Sequence, residues 1–345
     1  MFEHIGIQYT GNIPIICAKY SDVKDFAIDV PKLASTIINT YTAYDNFDPN
    51  TDMDWVVATS LTNSSKKLVP AFLAFMFDVE LKGTLFGSSS NGAASAATLE
   101  DAILHALFEV IERDAFAMGN SNPYVLPILD YSDFPNKKIT ELVSNIRKMG
   151  YEVITRDYTN DIGIPVYRTW IVEPNNYSKY GYTGTGCHVL PEIALERSIT
   201  EAIQTNDTAD FGGNAEPSLF TQEVLLNSTV NLYNQHFLVN KDVLGTTDRV
   251  SKFSKSNFEY KSSYDLIKKV ANQVKEKVGG DVYYIDLTKP GTDIKVARVI
   301  ITGDIQYLNT PMLSVSERTF DFGLKFGYSH KKPRYEELFM GMYQM

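Results

Sequence analysis

Cysteine is nearly absent from this chain, with only Cys17 and Cys187 among 345 residues. That excludes a disulfide framework. With five histidines at no ligand-like spacing, it also argues against a structural zinc site. Cys187 and His188 are sequence neighbours, whereas a catalytic nucleophile and its base normally meet through the fold, so the pair reads as structural. No run is long and apolar enough to span a bilayer, and residues 1–10 carry no basic stretch leading into an apolar core. The chain therefore reads as cytoplasmic, without a membrane segment. Positive charge is in deficit too. The 32 Lys and Arg against 42 Asp and Glu leave a net charge of −10, which argues against nucleic acid as a partner. No Walker sequence is present.

What is there is an ordinary globular composition, 44% hydrophobic and 21% charged, with enough length for a large core. No Pro/Ser/Gly-rich or single-sign block divides it, so residues 1–345 read as one domain, with a sub-boundary near 210–216 left open. Strands are expected at Asn12 to Lys19, Asp54 to Leu61, Leu68 to Asp78, Ile164 to Val172, Asp281 to Asp286 and Ile294 to Thr302. Helices are expected from Pro31 to Tyr44, Thr98 to Met118, Pro191 to Asn206, Thr221 to His236 and Tyr264 to Val278. Interleaved strands and helices predict an α/β or α+β fold with repeated strand–helix units around a large sheet. The pairs Asn12–Ile15 with Pro31 and Gly163–Val166 with Pro191 are candidates for such a repeat.

Chemistry concentrates on two of these helices. After Thr98, whose hydroxyl with Asp101 has the capping-box pattern, Asp101, His105, Glu109 and Glu112 follow at steps of four, four and three and share a face, with Arg113 one turn beyond Glu109. Ile103, Leu104, Leu107, Val110 and Ile111 supply the docking side. On the second helix Arg197, Glu201 and Gln204 share a face opposite Ile193, Leu195, Ile199 and Ile203. Charge rows at this spacing also occur as solvated surface, which leaves a plain α/β protein as one reading. Carboxylates gathered from two helices suit a Mg²⁺–triphosphate site without a P-loop, because Mg²⁺ takes oxygen ligands shared between protein and phosphates. The turn Gly87 to Gly92 before a helix start suits an anion.

The run from Ser89 to Ala115, a Ser-Asn-Gly turn, small residues and Glu-x-x-Glu-Arg-Asp on a helix, resembles the YcaO family. The run from Gly184 to Gln204, with Gly-x-Gly-Cys-His, Pro-Glu-x-Ala-Leu and Thr-Glu-Ala-x-Gln, is similar to that family's second hallmark. Weaker echoes extend over almost the whole chain. The resemblance implies a YcaO-like fold and ATP-dependent activation of peptide backbone amides, giving azolines or thioamides. It implies ATP and Mg²⁺ as cofactors, with ATP bound by Asn91, Glu109, Glu112, Arg113, Glu201 and Gln204 and the metal held by Glu109, Glu112 and Glu201. No general base is assigned. The substrate would be a peptide or protein, with a leader-recognising or sulfur-supplying partner protein, and a homo-oligomer stays open. The chain departs from the family where an earlier helix usually has Ser-x-x-x-Glu-x-x-Glu-Arg, because Ser35 leads only to Asn39, Thr42 and Ala43. Asn206 stands where an Arg is expected and Thr302 where Pro is common, and the residues up to Met345 lack the proline-rich ending of azoline-forming members. A YcaO relative acting as a scaffold or regulatory subunit is the competing reading.

Overall fold

A computed structural model of the chain describes residues 8, 11–35, 47–76, 81–85, 90–132, 134–174, 182–211, 245–253, 256, 258–305, 316–334 and 337–338, with the side chains of 34–35 and 205–211 outside that description. In chain order the elements are β1 Ile16–Lys19, α1 Tyr20–Val23, α2 Val30–Ser35, β2 Asp52–Ser60, β3 Lys66–Pro70, a 3-10 turn Ala71–Leu73, β4 Ala93–Ala96, α3 Leu99–Ser121, β5 Ile128–Asp130, α4 Lys137–Lys148, β6 Glu152–Asp157, β7 Val166–Val172, β8 Tyr182–Cys187, α5 Pro191–Phe211, β9 Val250–Lys252, α6 Ser263–Val278, β10 Val282–Asp286, β11 Lys295–Ile301 and α7 Glu317–Lys325. The fold is mixed α/β, as expected, with its strands shared between two sheets. The chain divides into two compact units, Met1–Ala117 with Glu259–Thr319, and Met118–Phe258 with Phe320–Met345.

The first unit holds an antiparallel sheet in the order β1-β2-β10-β11-β4, with β3 also paired to β2. Its core gathers on Trp55, Val56, Val69, Phe72 and Ile285. The Trp55 indole N–H, buried with its ring, donates to the Ala18 carbonyl at 2.9 Å, which fixes β1 against β2. The strand expected from Leu68 to Asp78 stops at Pro70, the last residue in register, opposite Trp55. Proline has no N–H to offer a ladder, and the chain beyond it turns, with Ala74 and Phe75 N–H groups returning to the Ala71 carbonyl. Helix α6 begins at a Ser262 cap that accepts from Asp265 N and ends at Gly279 in the left-handed region.

The second unit holds the order β8-β7-β6-β5-β9, antiparallel except for the parallel β5–β9 pair. Helices α4 and α5 bury their apolar stripes against this sheet, Ile139, Val143 and Ile146 from α4 and Ala194, Leu195 and Ile199 from α5, over Leu129, Val153, Tyr167 and Ile171. Helix α4 starts on an Asn136 side chain that accepts from Lys138 N. The pair anticipated from the sequence does not match, and two other strand–helix units, β4–α3 and β8–α5, resemble each other instead. In each, the end strand of a sheet passes through a few residues into a long helix. At the position anticipated from Asn12 and Pro31, β1 leads through the short α1 to α2, whereas β7 is followed by another strand before α5. The expected helix Thr221 to His236 and residues 212–216 lie outside the described residues.

Candidate functional site

The start of α3 is fixed by the capping box read from the sequence. Asp101 N donates to Thr98 Oγ1 at 3.1 Å, and the Thr98 hydroxyl donates to Asp101 Oδ2 at 2.7 Å. Ile103, Leu104, Leu107, Val110 and Ile111 are all buried, so the helix cannot rotate without exposing them. That orientation leaves His105 exposed, while Glu109, Glu112 and Arg113 are half-buried. Glu109 Oε2 accepts from Gly92 N at 3.1 Å, and its Oε1 lies 3.9 Å from Arg113 Nη2. Gly92 has a positive φ of 83°, and a Cβ there would sit 2.5 Å from the Val299 carbonyl oxygen and 2.7 Å from the Val110 side chain. The glycine of the Ser-Asn-Gly turn thus serves a left-handed turn and a close approach to α3. In this way the structure brings the Asn91–Gly92 turn beside Glu109 and Arg113, with Glu112 on the same helix face. Residues 87–89 of the turn, and Asn39 and Thr42 of the earlier helix, lie outside the described residues.

One residue of this motif has a different duty. Asp114 is 0% exposed and Arg318, at the start of α7, is 5% exposed. The guanidinium donates to both carboxylate oxygens, at 3.1 and 2.9 Å, and to the Asp304 carbonyl at 2.9 Å. The Asp304 carboxylate in turn accepts from Glu317 N and Arg318 N, both at 3.0 Å, and so caps α7. Sequence reasoning missed the pair because the two residues are 204 positions apart. The available signal was that Asp114 falls about 100° round the helix from Arg113, on the side with Leu107 and Ile111.

In the second unit β8 lies directly beneath α5. A Cβ on Gly184 would be 2.3 Å from the Ser198 carbonyl oxygen, and one on Gly186 would be 2.1 Å from the Ala194 carbonyl oxygen. The Gly-x-Gly spacing therefore serves helix-on-strand contact, since alternate residues of a strand share a face. Thr185 lies opposite Arg168 in the β7–β8 ladder, and its N–H is directed to Glu201 Oε2 at 2.8 Å. The carboxylate of α5 satisfies a donor on the end strand of the sheet. Glu201 and Gln204 are exposed. Cys187 is buried, and His188 Nδ1 accepts from Leu190 N at 3.0 Å in the turn before α5. A chain of hydroxyls absent from the sequence reading runs from Tyr131 through Thr155 and Thr169 to Ser198 on α5, with the last two links at 2.7 and 2.8 Å. Burial pushes the Tyr131 phenol up to about 12.

Among the described residues, no three His, Cys, Asp or Glu side chains gather into a metal cage. Two half-buried carboxylates beside an arginine suit a different donor economy, a Mg²⁺ ion that takes most of its oxygens from phosphate and water. The described residues of the α3 face fit a magnesium–nucleotide. No helix among the described residues is long and apolar enough to cross a membrane.

The fold is mixed α/β, and on the strand-following helix α3 two half-buried glutamates and an arginine share one face. The chain belongs to the YcaO family: the family profile described as YcaO cyclodehydratase, ATP- and Mg²⁺-binding, matches residues 1–303. A protein of Methanothermobacter thermautotrophicus is 29% identical over 265 residues, covering 74% of this chain and 66% of the relative. A heterocyclase solved in complex with substrate and cofactor has a similar fold, with TM-score 0.79 and 22% identity over 97% of this chain and 46% of that one. The heterocyclase TruD follows at 0.73 and 23%, over 100% of this chain and 49% of that one. The chain thus spans less than two thirds of each of these relatives.

Proposed function

We propose that this chain uses ATP and Mg²⁺ to activate backbone amides of a peptide or protein, by azoline cyclodehydration or thioamidation, in the cytoplasm. Asn91, Glu109, Glu112, Arg113, Glu201 and Gln204 bind the nucleotide, with Glu109, Glu112 and Glu201 as metal ligands. The observation that carries this reading is the α3 face, where Glu109 is pinned by Gly92 N–H beside Arg113 in a family whose profile is ATP- and Mg²⁺-binding. When bound, ATP supplies the phosphoryl group that turns the amide oxygen into a leaving group, and Mg²⁺ neutralises phosphate charge. The chain's own contribution is positioning. The Gly92 N–H holds one oxygen of Glu109 and so orients the other, and Arg113 adds a fixed positive charge for phosphate oxygens. A Cys, Ser or Thr side chain, or sulfide, adds to the amide carbon. The oxygen departs as phosphate. With a side-chain nucleophile the C=N bond of the azoline forms as the nucleophile's proton and the amide N–H proton go to solvent. With sulfide, C=S forms as the sulfur's protons go to solvent and the N–H stays. A leader-recognising or sulfur-supplying protein delivers the substrate or the sulfur.

Isothermal titration with ATP, with and without Mg²⁺, tests the reading directly. Mg²⁺-dependent binding is expected, and Glu112→Gln, which removes a charge at nearly constant volume, should weaken it by about tenfold or more, the equivalent of one good charge contact. Equal binding by Glu112→Gln removes the assigned metal role. The second reading, a scaffold or regulatory subunit, is favoured by Asn39, Thr42 and Ala43 standing where the resemblance expects acids and a base. It prevails if the unaltered protein binds no nucleotide even with peptide and partner present.

A further inference from the structure

Strand β10 carries a tyrosine whose polar end the fold does not use. Tyr283 belongs to the core cluster that holds Ala27 and Ile28, and it is 7% exposed. Among the described residues its hydroxyl has no hydrogen-bond partner. A buried phenol normally finds one, because an O–H taken from water loses the bonds it made there. The atom is not sealed off, however, and Tyr283 lines a cavity of about 270 Å³ within the first unit. Burial, with the charge of Asp281 adding to it, raises the phenol pKa, so the hydroxyl is protonated at neutral pH and can donate as well as accept.

Bare backbone makes part of the cavity wall. The turn after α6 and the turn after β11 lie so close that a Cβ on Gly280 would be 2.0 Å from the Thr302 carbonyl oxygen, and one on Gly303 2.4 Å from the Val278 carbonyl oxygen. No side chain can grow at either glycine without parting the turns, so this wall holds its shape. Charge comes from α2. Asp29, just before that helix, and Lys32, within it, are both exposed and are the two charged residues among the described lining. Asp29 Oδ1 accepts from Lys32 N at 3.0 Å. A carboxylate offers about four acceptor sites, so this bond leaves capacity for an ammonium group.

We propose that this cavity binds a small free α-amino acid with a hydrogen-bonding side chain. The exposed pair, one negative and one positive, stands at the mouth and takes the ammonium and carboxylate of a zwitterion. The buried neutral hydroxyl lies deeper and takes a hydroxyl or amide of the ligand's side chain. The volume of about 270 Å³ is just under the roughly 300–1,000 Å³ of ordinary ligand pockets, which suits a molecule of this size. These residues are distinct from those assigned to nucleotide, and the site stands whether or not the chain uses ATP.

Isothermal titration of the full chain tests this with three pairs of similar size: L-threonine and L-valine, L-asparagine and L-leucine, L-glutamine and L-methionine. The polar member of at least one pair should bind about tenfold more tightly than its apolar counterpart. Tyr283→Phe deletes one oxygen and keeps the ring, so it spares the fold and should abolish that preference. Asp29→Asn keeps an oxygen to cap Lys32 N, and should weaken the free amino acid about tenfold while leaving its N-acetyl derivative unchanged. Lys32→Gln should do the same with respect to the methyl ester. Thermal melts establish that the three variants are folded. No binding of any of the six amino acids, a preference that survives Tyr283→Phe, or derivatives that bind as tightly as the free amino acid overturns the proposal.

Discussion

The units β4–α3 and β8–α5 use the same device in different surroundings. Each joins the end strand of a sheet to a long helix through a short turn, and each helix sends a glutamate back to a backbone N–H, Glu109 to Gly92 and Glu201 to Thr185. In each, glycine is required because helix and turn or strand approach more closely than a Cβ allows. The difference lies in the anchoring. Helix α3 is tied by a buried ion pair, Asp114 with Arg318, whereas α5 is tied by neutral hydroxyls, Ser198 with Thr169. A motif can thus be kept while the force that seats it changes.

The largest expected effect separates these anchors. Asp114→Ala leaves the Arg318 guanidinium buried without its carboxylate and should destabilise the fold by about 4 kcal/mol, since breaking a buried pair from one side costs far more than the pair contributes. Ser198→Ala removes only a neutral hydrogen bond and should cost about 1 kcal/mol. Urea denaturation of the two variants measures both. Replacing the pair together, Asp114→Leu with Arg318→Met, should recover most of the loss, and a double variant as unstable as Asp114→Ala would show that the pair does more than satisfy itself.

Next in size are the glycines. Gly186→Ala forces a methyl against the Ala194 backbone oxygen, an atom that cannot swing aside as a side chain would, and should cost about 3 kcal/mol or more. Gly92→Ala combines a similar clash with a strained positive φ and should cost a comparable amount. If Gly186→Ala were tolerated in thermal melts, the close seating of α5 on β8 would be wrong.

The legibility of the molecule follows from the range of its interactions. Both long helices, the Thr98 cap and the face with Glu109, Glu112 and Arg113 were readable because each is written within about one turn of sequence. Helix α4 carries a local signal in the spacing of Ile139, Val143 and Ile146, but no chemical motif accompanies it. Strands β5 and β9 have three residues each and pair across more than a hundred positions, so no periodicity announces them. The division into two sheets depends on such pairings, as does the partner of Asp114. The Gly-x-Gly of β8 was visible as a motif, but its cause, the seating of α5, is a tertiary contact that no local pattern contains.

The smallest expected effect bears most directly on the two glutamates. Glu109→Gln and Glu201→Gln each keep an amide oxygen that can still accept from the backbone N–H, so what is lost is the charge. Hydrogen bonds to charged acceptors contribute roughly 1 kcal/mol more than neutral ones. Glu109 is half-buried and should show that difference, whereas Glu201 is exposed and solvent screens it, so its loss should be near zero. Amide hydrogen exchange reads the result at the bonds themselves: protection at Gly92 N–H should fall in Glu109→Gln, and at Thr185 N–H it should hardly change in Glu201→Gln. Nucleotide binding supplies the complementary measurement. If either carboxylate holds Mg²⁺, its glutamine variant should lose affinity out of proportion to this small change in stability, because the ion needs the charge and the fold needs only an acceptor. Should affinity fall no further than stability does, the glutamates are edge-strand anchors, and the metal assignment must move elsewhere on the chain.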